Sequence, residues 1–399
     1  YLTGAREIME APAPTAALDP GHWKPTAPSA LPPSAVAELT RALLGARAPL
    51  VVTSYLGRNP AAVGELVKFC ERLGAGVLES VPNYVNFPHD NMLYQGNQWN
   101  EPRQNAALSQ ADLVIVIDSD IPWIPTVSAP RPEARLYHID VDPLKMQMPL
   151  WYMAAAERFA ADAGVALQQL NAELDKTPPD GPLVEARRGR WEGLHRQRRA
   201  ELLQREQPGD SLTPEYLTAA IRCRVTADTM VVNEGVSNYQ TIFDHLAMNR
   251  PGSMFTSGGG SLGWNGGAAI GVKLAHPDKL VIALTGDGSY MFSVPSSVHW
   301  MARRYNTPFL TVIYNNGGWK SPKLSTLAVH KDGYASKSDN LDMSFHPASD
   351  YGGIAAAAGG AYARTVDRVQ DLEEALDACL HAVQTEGRCA VLDARLARF

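Results

Sequence analysis

The feature that most constrains this chain is a series of short, wholly apolar runs separated by segments of helical length. Residues 48–53 read Ala-Pro-Leu-Val-Val-Thr, 112–118 read Asp-Leu-Val-Ile-Val-Ile-Asp, and 76–78 and 135–141 are similar. The pattern returns at 229–233, 279–285, 309–314 and 389–393. A strand that is apolar throughout is covered on both faces, and parallel strands need long crossovers between them. The intervening segments 36–44, 63–73, 213–223 and 369–384 carry apolar residues at helical spacing. The pattern predicts an α/β chain of two doubly wound parallel-sheet domains.

A length of 399 residues fits that count, since one domain takes roughly 100–200 residues. Residues 1–35 hold Pro12, Pro14, Pro20, Pro25, Pro28, Pro32 and Pro33 and read as an extended arm or linker. The first domain is expected at 36–175 and the second at 210–399. Between them, at 176–209, Lys176-Thr177-Pro178-Pro179-Asp180-Gly181-Pro182 breaks any element. A charge-dense helix follows at 187–207 and reads as a solvated bridge between the domains. The net charge of −6 gives no basic excess for nucleic acid or an anionic membrane surface. No apolar run approaches the ~20 residues of a membrane span. The cysteines Cys70, Cys223, Cys379 and Cys389 are scattered, which argues against a zinc site or disulfide framework and fits a reducing cytoplasm.

Two Gly-rich stretches compete for a functional reading. Gly258, Gly260 and Gly263 form a G-x-G-x-x-G, and Asp287 lies 24 residues further on. That is the outline of a nicotinamide dinucleotide fingerprint, but 251–255 is a poor central strand to precede it. The second stretch is more informative. The run 279–285 leads into Gly286-Asp287-Gly288-Ser289, and 309–314 leads into Asn315-Asn316-Gly317-Gly318. Two parallel strands thus deliver an acid and an amide at their C-terminal ends, the edge where doubly wound sheets bind ligands. A carboxylate, an amide oxygen and a backbone carbonyl suit Mg²⁺ or Ca²⁺, and Mg²⁺ commonly takes its remaining ligands from phosphates. The pair implies a metal-bridged diphosphate. Either motif alone would read as an ordinary turn.

Gly286-Asp287-Gly288 followed by Asn315-Asn316 resembles the signature of the thiamine-diphosphate-dependent enzymes. Arg250-Pro251-Gly252-Ser253 and 263–271 extend the likeness to the C-terminal domain of acetolactate synthases and benzoylformate decarboxylases. Residues 36–175 resemble the family's central domain. The resemblance implies thiamine diphosphate and Mg²⁺ as cofactors. Asp287, the side chain of Asn316 and the carbonyl of Gly318 would be the metal ligands. Gly288, Ser289, Ser237 and Asn238 would meet the diphosphate, and Gly260, Ser261, Gly286 and Trp319 would complete the cofactor contacts. Leu262 falls where the family keeps a bulky apolar residue under the cofactor, holding its folded conformation.

The implied activity is a C–C lyase or synthase acting on a 2-oxo acid, by decarboxylation and then protonation or carboligation. Trp264-Asn265-Gly266-Gly267 departs from the family pattern, and Trp319 and Lys320 stand where substrate contacts fall in relatives. A 2-hydroxyacyl-CoA lyase, a nicotinamide dehydrogenase and a non-catalytic cofactor-binding subunit therefore stay open. Family members begin with a pyrimidine-binding domain that carries an activating glutamate, and no segment here corresponds to it. The expectation is that a missing segment or a partner chain supplies it, within a homodimer or homotetramer, and that this chain alone is inactive.

Overall fold

The computed structural model describes residues 3–15, 17–99, 103–148, 153–258, 260–338 and 341–397. Tyr1, Leu2 and Ala16 of the Pro-rich arm, Gly259 of the Gly-rich run and the last two residues of the second domain lie outside them. The rest of residues 3–30 is exposed, with a short α-helix at Arg6–Glu10 and one 3-10 turn at Pro20–His22. The arm ends where Leu31 buries and its backbone N–H and C=O pair with the side-chain amide of Gln169.

Two six-stranded sheets follow, and every strand pairing in them is parallel. The first holds β1 (Pro49–Thr53), β2 (Gly76–Ser80), β3 (Tyr94–Gln98), β4 (Leu113–Ile117), β5 (Arg135–Asp140) and β6 (Glu157–Ala160), in the order β3-β2-β1-β4-β5-β6. The second holds β7 (Thr229–Glu234), β8 (Met254–Thr256), β9 (Leu280–Gly286), β10 (Leu310–Asn315), β11 (Tyr362–Val366) and β12 (Ala390–Arg395), in the order β11-β12-β10-β9-β7-β8. The apolar runs are the central strands, buried along their length. The second sheet carries a separate apolar core on each face. The segment 251–255 does not supply a central strand. Its residues Met254–Thr256 pair at the edge, as β8.

The charge-dense segment corrects its sequence reading. Helix Gly181–Arg205 is not a solvated bridge, because Arg187 and Trp191 are fully buried and Val184, His195 and Leu202 nearly so. Trp191 belongs to the core of the first sheet. The Arg187 guanidinium donates to the carbonyls of Leu43, Leu44, Ala46 and Leu73. These are the last carbonyls of helices Pro33–Gly45 and Pro60–Leu73 and the residue beyond the first. A guanidinium at two helix C-termini satisfies acceptors that the helices cannot satisfy themselves and complements both dipoles.

The helix also seals the junction with the second sheet. Arg198 pairs with Asp244, which also accepts from Asn97 of β3. Trp99 stacks on Tyr239 at 4.6 Å. Tyr84 forms an antiparallel bridge with Phe255 of β8, and the Thr256 N–H donates to the Asn83 carbonyl at 2.9 Å. Among the described residues no helix is long and apolar enough to cross a membrane, and the four cysteines are free thiols.

Arg187→Met keeps the stem and removes the donors. It is expected to lower the unfolding free energy by about 3–5 kcal/mol in urea denaturation, because buried carbonyls lose a charged donor. Arg190→Met, on the exposed side of the same helix, is expected to change it by less than about 0.5 kcal/mol.

Candidate functional site

In the second sheet the chain leaves β7 outward to β8 and returns on the other side as β9. Crossovers therefore diverge between the ends of β7 and β9, and a crevice opens there. Glu234 ends β7 and Gly235, Val236, Ser237 and Asn238 follow it, while Asp287, Gly288 and Ser289 follow β9 in a short helix, Asp287–Phe292. Register pairs Tyr314 of β10 with Gly286, so the Asn-rich turn after β10 lies beside Asp287.

These ends line one cavity of about 160 Å³. Its wall contains Ser237, Asn238, Gly260 and Leu262 from the β7 side and the Gly-rich loop. Gly286, Asp287, Gly288 and Ser289 come from β9, and Asn316, Gly318, Trp319 and Lys320 from β10. Among the residues singled out from sequence, Ser261 alone is not in the wall and faces solvent. Val236, Ser321 and Pro322 complete the lining, and nothing in their types marked them.

Asp287 is buried, and its carboxylate accepts from the N–H of Gly288 at 3.0 Å and of Gly317 at 2.9 Å. Burial pushes its carboxyl up to about 6 against those hydrogen bonds. No cation among the described residues pairs with it. The two asparagines have different work. Asn315 donates to Asp393 at 2.8 Å and accepts from Gly317 N–H at 3.0 Å, so it builds the turn. Asn316 is buried and its Oδ1 has no hydrogen-bond partner among the described residues. An ionisable acid without a cation and an orphaned amide oxygen in the same wall are two oxygen ligands lacking a positive partner. The Gly318 carbonyl accepts from Lys320 N–H at 3.0 Å and keeps a second lone pair. No group of three His, Cys, Asp or Glu side chains poised for a metal occurs among the described residues. A cation here would be held by this mixed oxygen set, which fits Mg²⁺.

Gly288 has to be a glycine, because a Cβ would meet the Trp319 ring. That ring lies edge-to-face with Phe292 at 5.5 Å and with Phe345 at 4.9 Å, so it forms a fixed apolar wall. The phenylalanines that hold it were not apparent from sequence. Lys320 opens helix Lys320–Val329 and has no carboxylate partner among the described residues.

The dinucleotide reading of 258–263 does not survive. A pyrophosphate would need the free N–H groups at the start of helix Asn265–Ala275. The N–H groups of Gly263 and Asn265 instead donate to the Glu234 carboxylate, at 2.6 and 2.7 Å.

The strand order, the paired strand-end motifs and the oxygen set are those of a doubly wound protein with a ligand crevice at its switch point. Comparison with known proteins makes this specific. Residues 235–394 match the thiamine pyrophosphate enzyme C-terminal TPP binding domain, and residues 36–170 match the central domain of the same enzymes. The chain belongs to the thiamine pyrophosphate enzyme family. It is 25% identical over 286 residues to the acetolactate synthase large subunit of Haemophilus influenzae, covering 69% of this chain and 48% of that one. It is 33% identical over 109 residues to benzoylformate decarboxylase of Pseudomonas aeruginosa, 27% of this chain and 20% of that one. The chain thus spans about half the length of the acetolactate synthase subunits it matches. A putative thiamin diphosphate-dependent enzyme from Mycobacterium smegmatis shares the fold at a TM-score of 0.70 and 24% identity, over 97% of this chain and 67% of that one. The 4-hydroxybenzoylformate decarboxylase of Rhodococcus jostii RHA1 does so at 0.71 and 21%, over 94% and 66%.

Asp287→Asn tests the buried acid in the cofactor-free protein. The folded-state carboxyl titrates near 6, above the ~3.9 of an unfolded aspartate. The stability it confers is therefore full below pH ~4 and lost as pH rises through 6. At pH 8 the asparagine variant is expected to be more stable than wild type by about 2–3 kcal/mol, and the difference should vanish toward pH 4. Thermal or urea melts across that range decide it.

Proposed function

We propose that this chain holds thiamine diphosphate and Mg²⁺ and serves a C–C lyase or synthase acting on a 2-oxo acid, by decarboxylation followed by protonation or carboligation. The observation that carries the reading is the uncompensated pair at the switch point, the Asp287 carboxylate and the orphaned Asn316 Oδ1. Relatives named for acetolactate synthesis and benzoylformate decarboxylation support the reaction class.

Bound, the cofactor supplies a carbon nucleophile and an electron sink. The chain's own part is to bind and orient. Asp287, Asn316 and the Gly318 carbonyl would hold the metal. The Gly288 N–H and Ser289 hydroxyl would face the diphosphate together with Ser237 and Asn238. Leu262 and Trp319 give apolar walls that exclude water, and the unpaired Lys320 ammonium offers a counter-charge to a substrate carboxylate.

Calorimetric titration with thiamine diphosphate and Mg²⁺ tests this. Wild type should saturate, and Asp287→Ala and Asn316→Ala should each weaken binding at least ~10-fold, the worth of one charged contact. Asp287→Ala binding as well as wild type would overturn the assignment. Because protons compete with the metal for Asp287, wild-type affinity is expected to fall as pH drops through about 6.

The proposal includes a partner surface. A cavity of about 160 Å³ is smaller than the ~300–1,000 Å³ of ordinary small-molecule sites. Beside it Phe292, which abuts the Trp319 ring, and its near neighbour Val294 are each more than half exposed, apolar surface of the kind that marks an interaction site. We assign this face to a pyrimidine-binding domain bearing the activating glutamate, carried by another segment or by a partner chain in a homodimer or homotetramer. The 399-residue chain alone is then expected to bind cofactor without turning over a 2-oxo acid. Robust turnover by it would refute this assignment.

A further inference from the structure

Glu234 is fully buried at the end of β7, and its carboxylate has no cationic partner among the described residues. Its two oxygens are spent on the N–H groups of Gly263 and Asn265, at 2.6 and 2.7 Å. These donors flank the turn that follows Leu262 and opens helix Asn265–Ala275. The turn is gripped from behind as well. Gly263 sits at φ +98°, and a Cβ there would lie 2.5 Å from the Phe292 carbonyl oxygen. Asn265 then ties the turn to the sheet, donating from Nδ2 to the carbonyls of Val232 at 3.2 Å and Leu284 at 3.1 Å, near the ends of β7 and β9. An anion on a helix N-terminus is well placed, since the unpaired N–H groups and the dipole both favour it. Burying a carboxylate without a cation is unfavourable unless it is fully hydrogen-bonded, so the arrangement stands only while the turn is in place.

We propose that Glu234 is a positioning residue of the cofactor cavity. Its carboxylate locks the 262–265 turn, and thereby sets how far Leu262 projects into the cavity, without touching the cofactor itself. It also occupies the start of helix Asn265–Ala275, which would otherwise attract a diphosphate, leaving that group to residues 286–289. The inference rests on the thiamine diphosphate reading of the cavity.

The test is a double-mutant cycle read by binding. Glu234→Gln keeps the shape and one acceptor oxygen but turns an amide NH₂ toward a backbone N–H. Leu262→Ala removes the side chain that Glu234 is held to place. Dissociation constants for thiamine diphosphate with Mg²⁺ are measured by calorimetry, and inorganic pyrophosphate with Mg²⁺ serves as the second ligand. Expected is at least a tenfold loss for thiamine diphosphate in each single variant, with pyrophosphate binding within twofold of wild type. In the Leu262→Ala background, Glu234→Gln should add less than twofold, because a residue that acts through another is not additive with it. Hydrogen exchange at the Gly263 and Asn265 amides should quicken in Glu234→Gln, and Glu234→Asp should restore part of the protection.

Additive losses, unchanged thiamine diphosphate binding in Glu234→Gln, or an equal loss for both ligands would each overturn the proposal. Should Glu234→Gln not fold, the Glu234→Asp series carries the same comparison. Wild type failing to bind thiamine diphosphate would instead strike the cofactor reading beneath it.

Discussion

The rest of this structure depends on every strand running the same way. Parallel neighbours cannot be joined by a tight turn, so each return is a crossover, and all the loops that leave strand C-termini gather at one edge. In the second sheet the crossovers part between β7 and β9, and the edge opens there. Asp287 and Asn316 lie far apart in sequence and are brought together because β9 and β10 are adjacent and in register. The meeting of these two oxygen groups is thus a by-product of strand order. The glycines and asparagines refine it, and Trp319, Phe292 and Phe345 give it a hard apolar wall.

Strand direction also explains which parts could be read in advance. Central strands are covered on both faces and appear as unbroken apolar runs, so β1, β4, β9 and β10 were visible at once. The strand β3, Tyr-Gln-Gly-Asn-Gln, was not, although it is as buried as they are. Its polar side chains are satisfied by contacts distant in sequence. Gln95 donates to the Trp191 carbonyl at 3.1 Å, Asn97 to Asp244, and Gln98 to the Pro122 carbonyl at 2.6 Å. Periodicity cannot see burial that is achieved by hydrogen bonding. The same blindness misplaced helix Gly181–Arg205. An arginine reads as solvent-facing, whereas Arg187 is buried because four carbonyls await it.

The residues that meet at the crevice were legible in part. Spacing picked out Asp287 and the Asn315-Asn316 pair, because hard oxygen groups at paired strand ends carry a chemical meaning that turns lack, and the family resemblance chose Asn316. Spacing could not separate Asn315, which braces the turn through Asp393, from Asn316, whose oxygen is left over. Nor could it flag Glu234. A lone glutamate before a glycine has no signature, and its importance appears only when a helix end from the Gly-rich segment arrives beside it. The glycine fingerprint at 258–263 misled for the same reason, since a sequence shows the donors of an anion site without showing that a side chain already occupies them.

The bridge between Tyr84 and Phe255 has a consequence for how the two sheets can evolve or be dissected. β8 is a three-residue edge strand, and its outer side is covered by the 83–84 backbone of the first domain. Exposed strand edges recruit other strands, and proteins guard them. Here the guard belongs to the neighbouring domain, so the central domain acts as a built-in cover against edge-to-edge association. A second domain released from the first would carry an open edge beside its cofactor loop. The two domains are therefore held together by the covering of that edge as well as by the ion pair and ring stack at their seam.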